Sequence, residues 1–146
     1  MKMKNEKVIL DSNVLIAFFN PSDSLHRNAL ALLKDLESQT RILNDLIFAE
    51  VGTVLLMKTK DLSFVSSILG KLFDDKAQNT QIILCTKVFL SQTLEIFSHQ
   101  QSPQLSFEDC SIIALARTHK IRRIVTFDKA IRKTFAKEFE FLPKNI

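Results

Sequence analysis

Four acidic residues, Asp11, Glu50, Asp109 and Asp128, stand where the sequence pattern gives a carboxylate chemical work to do. Asp11 directly follows the apolar run Val8-Ile9-Leu10, at the point where a buried strand ends and a helix starts. Asp128 repeats that arrangement after Ile124-Val125-Thr126-Phe127. Carboxylates at the C-terminal ends of two parallel strands converge if those strands are neighbours. Each also suits a helix N-cap, where Asp accepts a backbone N–H. Glu50 falls in the apolar stripe of a helix spanning Asp45–Lys58, between Ile47 and Val54, with Leu46 and Met57 on the same side. A carboxylate there needs a cation, a hydrogen-bond donor or a raised pKa. Otherwise it snorkels at the stripe's margin or meets a Lys or Arg. Asp109 opens a helix over Phe107–His119 and shares a face with Ile112, Ile113 and Ala116. Ser106-Phe107-Glu108-Asp109 also fits a capping box, with Asp109 bonding back to Ser106. Glu108 lies about 100° further round the helix and is expected to face solvent.

Taken together, the four acids imply more than each does alone. Like charges a few ångströms apart raise one another's pKa, so an ionised cluster requires counter-charge. Oxygen ligands without Cys or His suit Mg²⁺ or Mn²⁺ rather than zinc. Such an ion activates water and stabilises the leaving oxygen of a phosphodiester, which is the logic of a metal-dependent nuclease. His26, His99 and His119 are scattered beside no second ligand and assemble no triad with a serine.

Positioning those acids falls to alternating strands and helices. At 146 residues, one domain over residues 1–146 is expected. With 46% hydrophobic and 25% charged residues, the chain can form a core without staples. Apolar runs predict buried strands at Lys7–Leu10, Arg41–Leu43, Gln81–Cys85 and Arg123–Thr126, with a weaker fifth at Glu138–Leu142. Between them, helical spacing links Leu25, Ala29, Leu32, Leu33 and Leu36, and then Phe64, Ile68, Leu69 and Leu72. A third set is Leu90, Leu94 and Phe97. The pattern predicts an α/β chain, a three-layer α/β/α sandwich with a mostly parallel sheet. The ligand site of such a sheet lies beyond the strands' C-terminal ends, where strand order reverses. Glycine occurs only at Gly52 and Gly70, which argues against a Gly-rich phosphate loop.

The remaining composition bounds the setting. Cys85 and Cys110 lack CxxC spacing and read as buried thiols in a reducing compartment. No apolar run approaches a membrane span, so a cytoplasmic protein is expected. Net charge is +4, and eight of the 20 Lys and Arg lie between Arg117 and Lys137, where Asp128 is the only acid. That stretch is either a solvated face or a phosphate-contacting patch. The 12 Phe read mainly as core, with Phe18, Phe19 and Phe48 near the first two acids.

Several motifs resemble those of PIN domains. Asp11-Ser12-Asn13-Val14-Leu15-Ile16 is similar to their opening motif, and Ala49-Glu50-Val51 to the surroundings of their second acid. Ser106 to Ala116 resembles the third motif, and Thr126-Phe127-Asp128 the fourth. The order spans nearly the whole chain, at a size similar to VapC-like toxins of toxin–antitoxin pairs. The resemblance implies a Rossmann-like PIN fold and endonucleolytic cutting of RNA with Mg²⁺ or Mn²⁺. For toxin members it also implies a homodimer and a small antitoxin protein as partner. It makes Asp11, Glu50, Asp109 and Asp128 metal-site and catalytic carboxylates, supported by Ser12, Asn13 and Thr126. One departure is the turn before the fourth motif, which often carries Gly but here reads His119-Lys120-Ile121. The segment Lys58–Thr80 does not align readily; a helical pair serving a dimer or an antitoxin is expected there.

Other functions fit less well. A phosphoryl-receiver site would want adjacent acids after the first strand, where Asp11-Ser12 stands, and an Asp after the third, which ends at Cys85-Thr86. A D-x-D hydrolase would need an acid in place of Asn13. A non-catalytic module that binds RNA or protein remains an alternative, motivated by the basic C-terminal stretch.

Overall fold

Val8, Ile9 and Leu10 point alternately to opposite faces of a strand, yet all three are almost fully buried, so helices must cover both faces of the sheet. The computed structural model describes residues 6–74 and 79–145. Within them, five strands form one sheet: β1 Lys7–Leu10, β2 Thr40–Asn44, β3 Thr80–Ile83, β4 Arg123–Val125 and β5 Glu140–Leu142. The order is β3-β2-β1-β4-β5 and every pairing is parallel. Seven helices among the described residues flank it: α1 Ser12–Phe19, α2 His26–Asp35, α3 Asp45–Thr59, α4 Leu62–Phe73, α5 Lys87–Ser98, α6 Phe107–His119 and α7 Lys129–Thr134. This is the expected α/β/α sandwich. None of these helices is long and apolar enough to cross a membrane.

The chain builds outward from β1 to β3 on one side, then crosses back to place β4 on β1's free flank. The strand order therefore reverses between β1 and β4, where Leu10 stands opposite Val125. Asp11 continues the pairing by donating its N–H to Val125 O at 2.9 Å. The two strand-ending acids thus leave the sheet side by side at its switch point.

Four strands end differently from the sequence pattern, the second by gaining Thr40 and Asn44 at its two ends. The third was expected to continue to Cys85, but it stops at Ile83 and Leu84 is 70% exposed. Cys85 N–H turns instead to Asp45 Oδ1 at 3.0 Å, a side-chain acceptor that replaces the next ladder bond. β4 ends at Val125, although Thr126 N–H still reaches Leu142 O at 3.0 Å. β5 begins at Glu140, because Glu138 and Phe139 bond back to Phe135 O in a tight turn.

Two helical stripes also need correction. In α3 the buried line is Ile47, Val51 and Leu55, while Met57 is 66% exposed. In α5, Phe89 and Thr93 are buried, whereas Leu90, Leu94 and Phe97 face outward. Apolar spacing of three and four marks a helix, but here a parallel apolar line lies on the outer side. Among its described residues, Lys58–Thr80 holds one complete helix, α4, packed against α3. Residues 75–78 of that segment lie outside the described residues. The α3–α4 contact is close: a Cβ on Gly52 would sit 2.8 Å from Leu69 Cδ1.

The glycine-free turn after α6 takes the conformation that glycine usually serves. Lys120 is left-handed, with φ 54° and ψ 42°. Its N–H bonds Ala116 O and Arg117 O, Ile121 N–H bonds Ala116 O at 2.9 Å, and the Ile121 side chain is buried. This is a Schellman-type ending made with a residue that carries a Cβ penalty. Lys120→Gly is therefore expected to stabilise the protein by about 0.5–1 kcal/mol, the relieved strain exceeding the added chain entropy. Thermal melts check this; a lower midpoint for the variant contradicts the account.

Candidate active site

Asp11 caps α1 and is only 3% exposed. Its Oδ1 accepts from Ser12 N–H at 2.7 Å and from Ser12 Oγ at 3.3 Å. Its Oδ2 accepts from Thr126 Oγ1 at 2.6 Å and from Asn13 Nδ2 at 3.4 Å. Thr126, fully buried, ties the two strand ends together, since its Oγ1 also accepts from Asp128 N–H at 3.0 Å. Asn13 clasps the same junction: its Oδ1 accepts from Phe127 N–H at 3.1 Å, and its Nδ2 reaches Thr126 Oγ1 at 3.3 Å. Asp128 caps α7 through Oδ1, which accepts from Ile131 N–H at 3.1 Å. Both strand-ending acids therefore act as N-caps and line the switch point at once. One role does not exclude the other, because a carboxylate has two oxygens.

Asp109 likewise serves twice. Its Oδ2 accepts from Ser106 N–H at 2.9 Å, while Asp109 N–H donates to Ser106 Oγ at 3.1 Å, completing the capping box. Yet its charge is felt by Asp11, and it in turn feels Asp128 and Glu50. Glu50 is half-buried on the flank of α3, one residue before the core position Val51, and also acts on Asp11. Asp109 thus links the four acids singled out in the sequence, within electrostatic reach of Asp11, Glu50 and Asp128.

Glu108 belongs with them, contrary to the expectation that it faces solvent. It is half-buried, and its carboxyl is raised by burial first and then by the neighbouring carboxyl of Glu50. The start of α6 is tied to the end of β2 and packs on α3, and Glu108 and Asp109, about 100° apart on the helix, both meet other acids there. A hydrogen-bonded chain holds that turn. Buried Asn44 caps α3 by accepting Ile47 N–H at 2.8 Å and donates Nδ2 to Ser111 Oγ at 3.0 Å. Ser111 Oγ donates to Glu108 O at 2.6 Å. Asn44 and Ser111 escaped the sequence analysis. The only signal was an Asn between a strand and a helix, which reads as an ordinary cap.

The electrostatics follow from burial among like charges. Burial pushes the Asp11 carboxyl up to about 7; the Thr126 and Ser12 bonds pull against it, and the charges of Asp109 and Glu50 add to it. Burial, the Glu50 contact and the charges of Glu50, Asp109 and Asp11 push Glu108 up to about 8. Asp109 is raised as well, chiefly by burial, against the pull of its bond from Ser106. The ion pairs of the described residues join Lys58 to Asp23, Arg117 to Glu138, and Arg123 to Glu6 and Glu140; none reaches these five acids.

A divalent cation fits that donor set by charge and by hard-oxygen chemistry. The fit is not that of a closed cage. Among the described residues, no three acidic, histidine or cysteine side chains are disposed to enclose an ion without adjustment. The phenylalanines near the site pack as core: Phe18, Phe19 and Phe48 lean on it, with Phe18 edge-on to Phe19 at 4.9 Å. His26 is taken up by Ala17 O, and His99 by Glu95 O.

These raised carboxyl groups set a pH dependence. The folded protein holds protons on Asp11 and Glu108 that the unfolded chain, with ordinary carboxyl pKa values near 4, has released. Stability therefore falls as pH rises from about 4 and levels off above about 8. The midpoint of thermal unfolding in EDTA is expected to drop between pH 5 and pH 8. Asp11→Asn should raise it at pH 8 and flatten the slope. A midpoint that climbs with pH over this window would contradict the assignment.

Comparison with known proteins agrees with this geometry. The family model for the PIN domain matches residues 8–136. No curated protein matches the sequence significantly. Among solved structures, the Mycobacterium tuberculosis toxin VapC20, described as cleaving the sarcin–ricin loop, superposes with a TM-score of 0.77 at 16% identity, over 87% of this chain and 94% of that one. FitAcB from Neisseria gonorrhoeae gives 0.63 at 17% identity, over 92% and 95% of the two chains. A toxin–antitoxin complex from Klebsiella pneumoniae gives 0.62 at 20% identity, over 94% and 93%. At these identities the structures speak for the fold, and the family match covers most of the chain; this protein belongs to the PIN domain family.

Proposed function

We propose that the protein is a metal-dependent endoribonuclease that acts, as one domain, as the toxin of a toxin–antitoxin pair. The observation that carries this reading is the acid cluster at the sheet's switch point, five carboxylates to which, among the described residues, no ion pair is made. Asp11, Glu50, Asp109 and Asp128 would hold Mg²⁺ or Mn²⁺, with Glu108 beside them. The bound ion supplies the positive charge that lets these acids ionise together and that polarises a phosphodiester.

The chain's own residues prepare the site. Thr126 and Ser12 orient the Asp11 carboxylate by donating to its two oxygens. Asn13 and Thr126 hold Asp128 at a set distance from Asp11 through the Phe127 and Asp128 backbone. Asn44 and Ser111 fix the α6 turn that carries Glu108 and Asp109. A cation would compete with the protons that burial keeps on Asp11 and Glu108, so metal affinity should rise with pH.

Support for a toxin role is of another kind. The α3–α4 side exposes Met57, Leu62 and Phe73, an apolar surface of the sort that proteins cover with partners. A second copy of the chain and a small antitoxin are the partners proposed for it. Both cysteines are free, in keeping with a cytoplasmic location.

Purified protein with Mn²⁺ is expected to cut RNA. Asp11→Asn and Asp128→Asn should each lower the rate by more than roughly 100-fold while the circular dichroism spectrum stays the same. Undiminished cutting in excess EDTA would refute the metal mechanism. Induced expression should arrest growth, and Asp11→Asn should relieve the arrest.

A further inference from the structure

The basic stretch after α6 separates into two sets in the fold. Arg117 is committed to Glu138, with bonds of 2.7 and 2.8 Å, and Arg123 to Glu6 and Gln39. Neither is available to an outside phosphate. Lys129 and Lys133 of α7 instead face Lys144, which follows β5, across an open groove of about 680 Å³. Phe139 and Phe141 line that groove, their rings 6.5 Å apart and steeply inclined. Arg132 braces it from inside: it donates to Thr126 O at 3.1 Å and to Pro143 O, and lies over the Phe141 ring at 5.9 Å. The one acid in the lining, Glu140, is shared with Arg123 at 3.9 Å.

Position gives this groove its meaning. Lys129 is the residue after Asp128, and Thr126, whose carbonyl Arg132 holds, donates to Asp11. The groove therefore has one lining residue, Lys129, directly next to Asp128, and runs out along α7 to the sheet's β5 edge. Charge complementarity favours a polyanion, and lysines beside the half-buried Phe139 ring favour one whose bases are free to stack. A duplex keeps its bases inside and would use only the lysines.

We propose that the groove between α7 and β5 is the exit track for single-stranded RNA, with Lys129, Lys133 and Lys144 on its phosphates and Phe139 under a base. The track rests on the nuclease reading for its substrate, but binding tests it separately from cutting. In the Asp11→Asn background, a fluorescent, unstructured 12-nucleotide RNA is titrated at several salt concentrations. Replacing Lys129, Lys133 and Lys144 together by Ala should weaken binding roughly 10–100-fold near 0.1 M salt, and should lower the slope of log affinity against log salt by about 2. The triple Lys→Arg variant should keep both, which separates lost charge from lost fold. Phe139→Leu should weaken binding about threefold to tenfold without changing the slope. Unchanged affinity and slope in the triple Ala variant would overturn the track and leave the nuclease reading standing. An equal loss for double-stranded RNA, or displacement of RNA by an oligoglutamate peptide at equal charge, would overturn the single-strand assignment. Absence of cutting by the unmutated protein with Mn²⁺ would fall on the nuclease reading alone.

Discussion

A carboxyl group sealed beneath the end of the central strand governs the arrangement around it. Asp11 is almost wholly buried, and both of its oxygens are engaged by donors from the end of one strand and the start of a helix. Burying a charge is expensive unless hydrogen bonds or a counter-ion offset it. The donors here are neutral, and they do not keep the Asp11 pKa in its usual range. The architecture therefore concentrates like charge at the one edge where strand order reverses. The rest of the fold can be read as the scaffold that tolerates this concentration.

Much of that scaffold was legible in the sequence, because burial leaves a simple trace. Val8-Ile9-Leu10 is apolar without alternation, and it forms the fully covered central strand over the expected Lys7–Leu10. The helix over Phe107–His119 matches because both ends carry strong signals, Ser106 at the start and the last turn before Lys120 at the end. Less visible were features set by partners distant in sequence. The third strand ends early because Asp45, 40 residues away, offers a better acceptor than the ladder. The outward apolar line on α5 has the same spacing as an inward one, so periodicity alone could not choose the face.

The acid cluster shows the same division. Strand-end position exposed Asp11 and Asp128, since a charged residue straight after a buried run has few places to point. Asp109 was visible through its helix face, and Glu50 through its conflict with an apolar stripe. Glu108 was misread because a helical wheel assumes one buried side, whereas the first turn of α6 is enclosed on two. Asn44 and Ser111, joined across 67 residues, carry no local mark of their pairing. Capping and placement in the acid cluster coincide at Asp11 and Asp128, the N-caps of α1 and α7, and at Asp109, which completes the capping box of α6 from its third position.

The parallel topology has a consequence for how such a chain acquires its activity during synthesis. Asp11 and Thr126, in contact at 2.6 Å, are 115 residues apart, and no short hairpin can bring them together early. Loop closure over that span comes before any reward from contact, which makes pairings of this kind late events in folding. Asp11, Glu50 and their helices emerge first from the ribosome. They remain an incomplete set until the strand carrying Thr126 has been made and docked against β1. Until then the edge that gathers the acids is incomplete.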